Sequence, residues 1–366
     1  MKRALAALLL IAALPVLPKA AQADAIPAQA AYLLEANSGR VIAAQNENAR
    51  LPMASTTKIM TALLAIESGR MDETVTVPDE AAGTEGSSMY LKAGEKLTLR
   101  DLVYGLMLRS GNDAAVAIAC VLDGGIGAFA DRMNARAAEL GLKDTHFTNP
   151  NGLHDAAHYT SARDLCLLAA AALENPEFSK IARTRYYETT GDTPRTLKNK
   201  NRLLWEYEGG AGVKTGYTKA AGKCLVFAAE RGGMKLVGVV LNCPTMWKTA
   251  VSMLDDAFAR FSATLFLSAR TEFWISVQNG TKKALSAAPI SGILYPVETG
   301  GDETFEVRTS LTPGVSAPVH AGDTVGTATL YRNGEAVMTI PIVASETVEK
   351  PGFRDYLRRA VSDYLG

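Results

Sequence analysis

Ser55-Thr56-Thr57-Lys58 is the one Ser-x-x-Lys in the chain. A serine hydroxyl becomes a nucleophile only when a nearby base takes its proton. A lysine three residues on, one helical turn later and on the same face, can be that base. It must first lose its own proton, which burial or a second cation would bring about. Ser110-Gly111-Asn112 and Lys214-Thr215-Gly216 each occur once as well. Attack on a peptide bond needs an activated serine, a relay that protonates the leaving amine, an amide that holds the substrate backbone, and a cation that organises the field. Ser110 can relay the proton and Asn112 can bond a substrate amide. Lys214 can attract a carboxylate, and a strand after it can offer backbone N–H groups. The scheme needs no cofactor and no metal.

These residues need elements to hold them. Ile59, Met60, Leu63, Leu64 and Ile66 predict a helix from about Ser55 to Ser68, stopped by Gly69. Ser55 would sit in its first turn, where free N–H groups and the helix dipole favour a developing negative charge. Ala31–Glu35 and Val41–Gln45 read as strands joined by Asn37-Ser38-Gly39. Thr74–Val77 reads as a short strand, and Asp79–Gly94 as a structured loop. Thr98 with Asp101 caps a helix to Leu108. Ser110-Gly111-Asn112 interrupts it, and a further helix runs from Asp113 to Leu122. Ala128–Leu140 and Ser161–Leu173 follow as helices, around a turn-rich loop at Asn149–Tyr159. Arg185–Thr189 alternates like a strand. Lys223–Glu230 and Lys235–Asn242 form an antiparallel hairpin through Arg231-Gly232-Gly233, and Thr245–Phe261 is an amphipathic helix. Strands from both ends of the segment with helices between them predict one α+β domain, an antiparallel sheet covered by helices. After Leu267 short alternating runs (Phe273–Val277, Ile293–Val297, Phe305–Thr309, Thr327–Tyr331, Ala336–Ile340) predict a small all-β domain.

The chain has 366 residues, with Lys+Arg and Asp+Glu balanced at 38 each, so no bulk charge points to nucleic acid. Lys2 and Arg3, the apolar run Ala4–Leu17 and Ala21-Gln22-Ala23 form a secretory signal peptide, cut after Ala23 or after Ala25. The protein is expected outside the cytoplasm. Cys120, Cys166, Cys224 and Cys243 are too widely spaced for a metal pattern and read as buried free thiols; a disulfide cannot be assigned from the sequence. In the tail, Phe353, Tyr356, Leu357, Ala360, Val361, Tyr364 and Leu365 make one apolar helical stripe. A helix that short, about 20 Å, can lie in a membrane interface but not span a bilayer.

The three motifs, in this order, resemble those of low-molecular-mass penicillin-binding proteins, the serine-type D-alanyl-D-alanine carboxypeptidases of peptidase family S11. The likeness extends to Pro52–Lys58, Ser110–Ala114, Thr160–Asp164, Lys214–Thr218 and Ala221-Gly222, and covers roughly residues 27–350. It implies a β-lactamase/transpeptidase-like fold with domains at 24–266 and 267–350, after a signal peptide at 1–23 and before an amphipathic anchor helix at 351–366. It implies removal of the terminal D-alanine from peptidoglycan stem pentapeptides through a Ser55 acyl-enzyme, acylation by β-lactams, and a place at the outer face of the cytoplasmic membrane. By position, Lys58 would be the base. Ser110 and Asn112 would shuttle the proton and bind the peptide. Lys214, Thr215 and the adjoining Gly216 and Tyr217 would receive the substrate. The backbone N–H groups of Ser55 and Tyr217 would form the oxyanion hole. Many relatives carry histidine where Tyr217 stands; the backbone acts there, so a change in substrate shape preference is expected rather than loss of catalysis. Relatives often carry an arginine before Lys-Thr-Gly; here Asn199-Lys200-Asn201-Arg202 offers two cations.

Other readings compete. A D,D-endopeptidase could use the same site, and a silent wall-binding protein could keep its shape. A Ser-His-Asp hydrolase would need His146, His154, His158 or His320, and no Gly-x-Ser-x-Gly is present. His154 and His158 have the i, i+4 spacing of a zinc helix, but they lie in a loop and Asp155 stands where that motif has Glu. Glu174 and Glu177 do not match the setting of a β-lactamase deacylating carboxylate.

Overall fold

The computed structural model describes residues 25–353. The expected signal peptide and nearly all of the tail stripe lie outside the described residues. The chain opens with β1 (Ala30–Glu35) and β2 (Val41–Gln45). Their turn is held by the buried carboxylate of Glu35, which accepts from Ser38 N, Ser38 Oγ and Asn37 Nδ2. A 3₁₀ turn, Ala54–Thr57, leads into α1 (Lys58–Glu67). Ser55 therefore sits on the tighter turn before the α-helix and not in the helix's first turn, as the spacing predicts. Residues Lys58 to Ile66 of α1 are all buried, so this helix runs through the core rather than along its surface.

β3 (Thr74–Thr76) pairs with β4 (Lys96–Thr98). α2 (Leu99–Tyr104) begins at the expected Thr98–Asp101 capping box, then widens into a π-type turn, Gly105–Arg109. α3 (Asn112–Asp123), α4 (Ile126–Glu139) and α5 (Ala162–Glu174) follow. Asn175-Pro176 ends α5 as expected, and it also starts an eight-residue helix that was not foreseen, α6 (Pro176–Arg183). The Asn175 side chain accepts from Glu177 N and Phe178 N, and Pro occupies the first position. A hairpin, β5 (Tyr186–Glu188) and β6 (Thr196–Lys198), and a short helix α7 (Leu203–Glu206) lead to β7 (Gly210–Thr218), β8 (Gly222–Arg231), β9 (Met234–Leu241) and α8 (Met246–Arg260).

The main sheet has the order β2-β1-β9-β8-β7, antiparallel throughout. Alternate residues face opposite sides. Tyr32, Leu34, Val226, Val237 and Val239 join the core under α1 to α6. Leu33, Leu225, Phe227, Leu236 and Val240 pack on α8. The α+β class read from the sequence is the class observed.

Beyond α8 comes β10 (Phe261–Leu267), which pairs with β13 (Ile293–Glu298). The expected helix stops one residue earlier, at Arg260, and the strand begins at once. β11 (Phe273–Gln278), β12 (Ala284–Pro289), β14 (Phe305–Leu311), β15 (Val315–Ser316), β16 (Thr324–Arg332) and β17 (Glu335–Ala344) form a second sheet, ordered β14-β16-β17-β12-β11-β15. Its core holds Ile275, Leu285, Ile293, Leu330 and Ile342. Arg40, after the β1–β2 turn, ties the main sheet to β13 and the segment that follows it: it forms a bidentate pair with Glu303 at 2.8 and 2.9 Å and donates to the carbonyl of Pro296. The four cysteines are free; three are buried and Cys120 is partly exposed.

Candidate active site

Ser55 follows Ala54, whose backbone is left-handed at φ +50°. A non-glycine residue there costs energy, so something must hold it. Thr57 Oγ1 donates to Ala54 O at 2.8 Å, and Thr56 Oγ1 donates to Met53 O at 2.6 Å. His158 supports the same turn. Its Nδ1 accepts from Thr148 N, so its proton is on Nε2, which faces Thr57 Oγ1 at 2.7 Å. Burial pushes the His158 pKa down to about 4, and the ring stays neutral at ordinary pH. His154 is exposed. The pair does not share a face, and the zinc reading has no geometry behind it. The loop carrying these residues presses on the nucleophile turn: a Cβ on Gly152 would stand 2.0 Å from Ala54 O.

Lys58 is fully buried. Its Nζ lies 2.9 Å from Ser55 Oγ and 2.7 Å from Asn112 Oδ1, and it also meets the carbonyl of Asn151. The Asn112 amide is oriented by its Nδ2, which donates to Glu85 O. Lys58 thus has two carbonyl acceptors. A neutral amine has two N–H bonds and one lone pair. With Lys58 neutral, the two hydrogens can go to Asn112 and Asn151, which leaves the lone pair for the Ser55 hydroxyl proton. Burial holds the Lys58 pKa well below the usual lysine value. The Lys214 charge pushes it further down, Asp113 opposes this, and Lys200 adds a smaller push down.

Asn112 begins α3, just after the π-type turn. Ser110 sits between them on a left-handed backbone, φ +64°, and is buried. Among the described residues, no hydrogen bond joins the Ser110 hydroxyl to Lys58 or Lys214. The next residue, Asp113, is buried and accepts from Ser88 Oγ, Met89 N and Leu91 N. It fixes the segment that overhangs Asn112. That role leaves no mark in the sequence, because the donors come mostly from backbone.

Lys214, Thr215, Gly216 and Tyr217 lie inside β7, the edge strand of the sheet, and not before a strand as expected. Three glycines, Gly210, Gly212 and Gly216, hide the strand pattern. Gly216 is needed for close approach: a Cβ there would stand 2.9 Å from Met53 O and 3.1 Å from Ser55 N. The strand thus lies against the nucleophile turn. Among the described residues its outer edge pairs with no strand, and it can take an extended peptide by strand addition. Tyr217 is 66% exposed, which fits a role for its backbone rather than its ring. Lys214 is buried; burial, then Lys200, bring its pKa down to about 7.

The two cations at Asn199–Arg202 differ in their surroundings. Arg202 is exposed and forms a two-pronged pair with Glu206. Lys200 is the one coupled to both Lys58 and Lys214. Partial desolvation and Arg109 hold its own pKa down. Glu177 is tied to Arg100, and Glu174 is exposed at the end of α5, so neither serves Ser55.

A serine facing the lone pair of a buried lysine, at the edge of a helix-covered antiparallel sheet, has the arrangement of a Ser–Lys hydrolase. Comparison with known proteins makes this specific. The family model described as D-alanyl-D-alanine carboxypeptidase matches residues 17–245, and that of the penicillin-binding protein 5 C-terminal domain matches residues 261–350. The D-alanyl-D-alanine carboxypeptidase DacF of Bacillus subtilis is 35% identical over 92% of this chain and 90% of its own length. DacA of Escherichia coli K12 is 31% identical over 93% and 89%. The crystal structure of penicillin binding protein 5 from Haemophilus influenzae covers 89% of this chain and 98% of its own at a TM-score of 0.72, with 29% identity. The chain belongs to the D-alanyl-D-alanine carboxypeptidase family. It is a serine-type carboxypeptidase and a hydrolase.

Two of these protonation states set a pH profile. Lys58 can act as a base only while neutral, so in that role kcat/KM should fall on the acid side as Lys58 takes up a proton. Lys214 can attract a carboxylate only while charged, and in the free enzyme it loses that charge as pH rises through about 7. The basic limb of kcat/KM should therefore begin near there. Bound carboxylate raises the Lys214 pKa by linkage, so the basic limb of kcat should lie at higher pH. Profiles of both constants on one peptide check this; coincident basic limbs would remove Lys214 from carboxylate binding.

Proposed function

We propose that the protein hydrolyses the terminal D-alanine from peptidoglycan stem pentapeptides through an ester on Ser55. The observation that carries this is the Lys58 amine, buried and 2.9 Å from Ser55 Oγ with its hydrogens committed elsewhere. Lys58 takes the Ser55 proton as Oγ attacks the penultimate carbonyl. The backbone N–H groups of Ser55 and Tyr217 hold the oxyanion. Ser110 passes the proton to the departing amine and the C–N bond breaks. Asn112 holds a substrate amide, beside its bond to Lys58. Lys214, Thr215 and Lys200 hold the terminal carboxylate, while Gly216 lets the strand close on the nucleophile. Water, deprotonated by Lys58, then cleaves the ester. A β-lactam would be attacked in the same way, but its leaving nitrogen stays tethered. The reading is tested by incubating the enzyme with a diacylated tripeptide ending D-Ala-D-Ala. Free D-alanine should appear catalytically; its absence with folded enzyme would refute the reading.

The family ties the protein to the cell envelope and the wall; the finer location is part of the same proposal. The signal peptide would export the chain, and the stripe from Phe353 to Leu365 would lie on the outer face of the cytoplasmic membrane. Its charges nearly cancel, so burial of the stripe would dominate over attraction to anionic lipid. Deleting residues 353–366 should release a soluble enzyme with unchanged activity on a small peptide. A truncated protein that unfolds, or a mature full-length protein that ignores liposomes, would count against the anchor.

A further inference from the structure

A cavity of about 490 Å³ opens beside the turn that leads into Ser110, with Arg109 in its wall. Its walls carry Arg109, Lys198, Lys200 and Arg202 around Trp205, with Glu206 as the one acid. Glu206 is already taken, by both Nε and Nη2 of Arg202. Among the described residues none of Arg109, Lys198 and Lys200 pairs with a carboxylate. The Lys198 ammonium instead rests over the rings of Trp205, at 4.9 Å, and Tyr186, at 5.8 Å. Arg109 and Lys200 line the same cavity, and burial, then the Arg109 charge, hold the Lys200 pKa down. Like charges have been gathered here without their counter-ion.

The position of the cavity says which part of a substrate meets it. Arg109 directly precedes Ser110, and Lys200 N donates to Leu108 O at 3.3 Å. Under the function proposed above, Ser110 protonates the departing amine, and Lys200 with Lys214 holds the departing residue's own carboxylate. The departing residue therefore sits at the mouth of the cavity. The methyl group of D-alanine would leave most of its volume to water. We propose that this cavity is a leaving-group subsite for a second carboxylate, so that the enzyme favours substrates whose departing residue or peptide is itself acidic. The chemistry is the same hydrolysis. The C–N bond breaks, the amine leaves with the relayed proton, and water supplies the hydroxyl of the new acid. A carboxylate in the cavity supplies the missing counter-ion to Arg109 and Lys198.

The test compares two tripeptides of equal size, one ending D-Ala-D-Glu and the other D-Ala-D-Gln, with D-Ala-D-Ala as control. In the wild-type enzyme at low salt, kcat/KM for the D-Glu peptide should exceed that for the D-Gln peptide by about fivefold, the scale of a partly exposed charge pair. High salt should shrink the ratio. In the doubly substituted Arg109→Gln/Lys198→Gln enzyme the ratio should fall toward one, while kcat/KM on D-Ala-D-Ala stays within about twofold, since neither side chain reaches the reacting atoms. A wild-type ratio of one or less, or a ratio that the double substitution leaves unchanged, would overturn the subsite. Failure of the control peptide itself would overturn the carboxypeptidase reading instead.

Discussion

Ser55→Ala should lose both turnover and covalent labelling by penicillin, with kcat falling at least about 10⁴-fold. The loss is expected to be this large because, among the described residues, no hydroxyl other than that of Ser55 hydrogen-bonds to the Lys58 amine. The fold should survive. Ser55 is only partly buried, and the turn that holds it is tied by Thr56, Thr57 and His158, not by its own side chain. Thermal unfolding of the variant therefore belongs beside the activity assay. A stable Ser55→Ala protein that still takes up penicillin would place the nucleophile elsewhere.

Lys58→Arg should be nearly as inactive, with kcat down by about 10³-fold or more. Arginine keeps its charge at any usable pH, so it offers no lone pair to the serine proton. The substitution also places a permanent cation where Lys214 and Lys200 already crowd the field. Destabilisation should accompany it, because Asn112 and the Asn151 carbonyl are spaced for one ammonium-sized group and not for a planar fork. A Lys58→Arg enzyme with substantial kcat would remove Lys58 from proton transfer, whatever its stability.

The residues proposed to do the chemistry stand out in the sequence because their types are unusual together: a serine and lysine one turn apart, a second serine near an asparagine, and a second lysine. What holds them was less legible, for reasons that differ from place to place. The Asn151 carbonyl takes one Lys58 hydrogen, and a backbone carbonyl leaves no mark in a sequence. Gly152 and Gly216 allow close approach, but in the sequence they read as turn residues. β7 was displaced because its glycines break the alternation that marks a strand. Lys200 could not be separated from Arg202 until the fold brought one of them toward Lys214. The Arg202–Glu206 spacing of i, i+4 was a usable signal, since it marks a surface helical pair. The α+β core was readable from both ends, because β1, β8 and β9 are continuous apolar runs buried on two faces.

The most direct test of the Ser55 ester is a peptide mass map after exposure to benzylpenicillin. The tethered leaving group should slow ester cleavage, so the adduct can be caught. Trypsin cuts after Arg50 and after Lys58, so Ser55 falls in the short peptide Leu51–Lys58. That peptide should carry the whole mass of the antibiotic, with fragment ions placing it on Ser55. An adduct found on any other residue, or an unlabelled enzyme that nonetheless releases D-alanine, would contradict the mechanism.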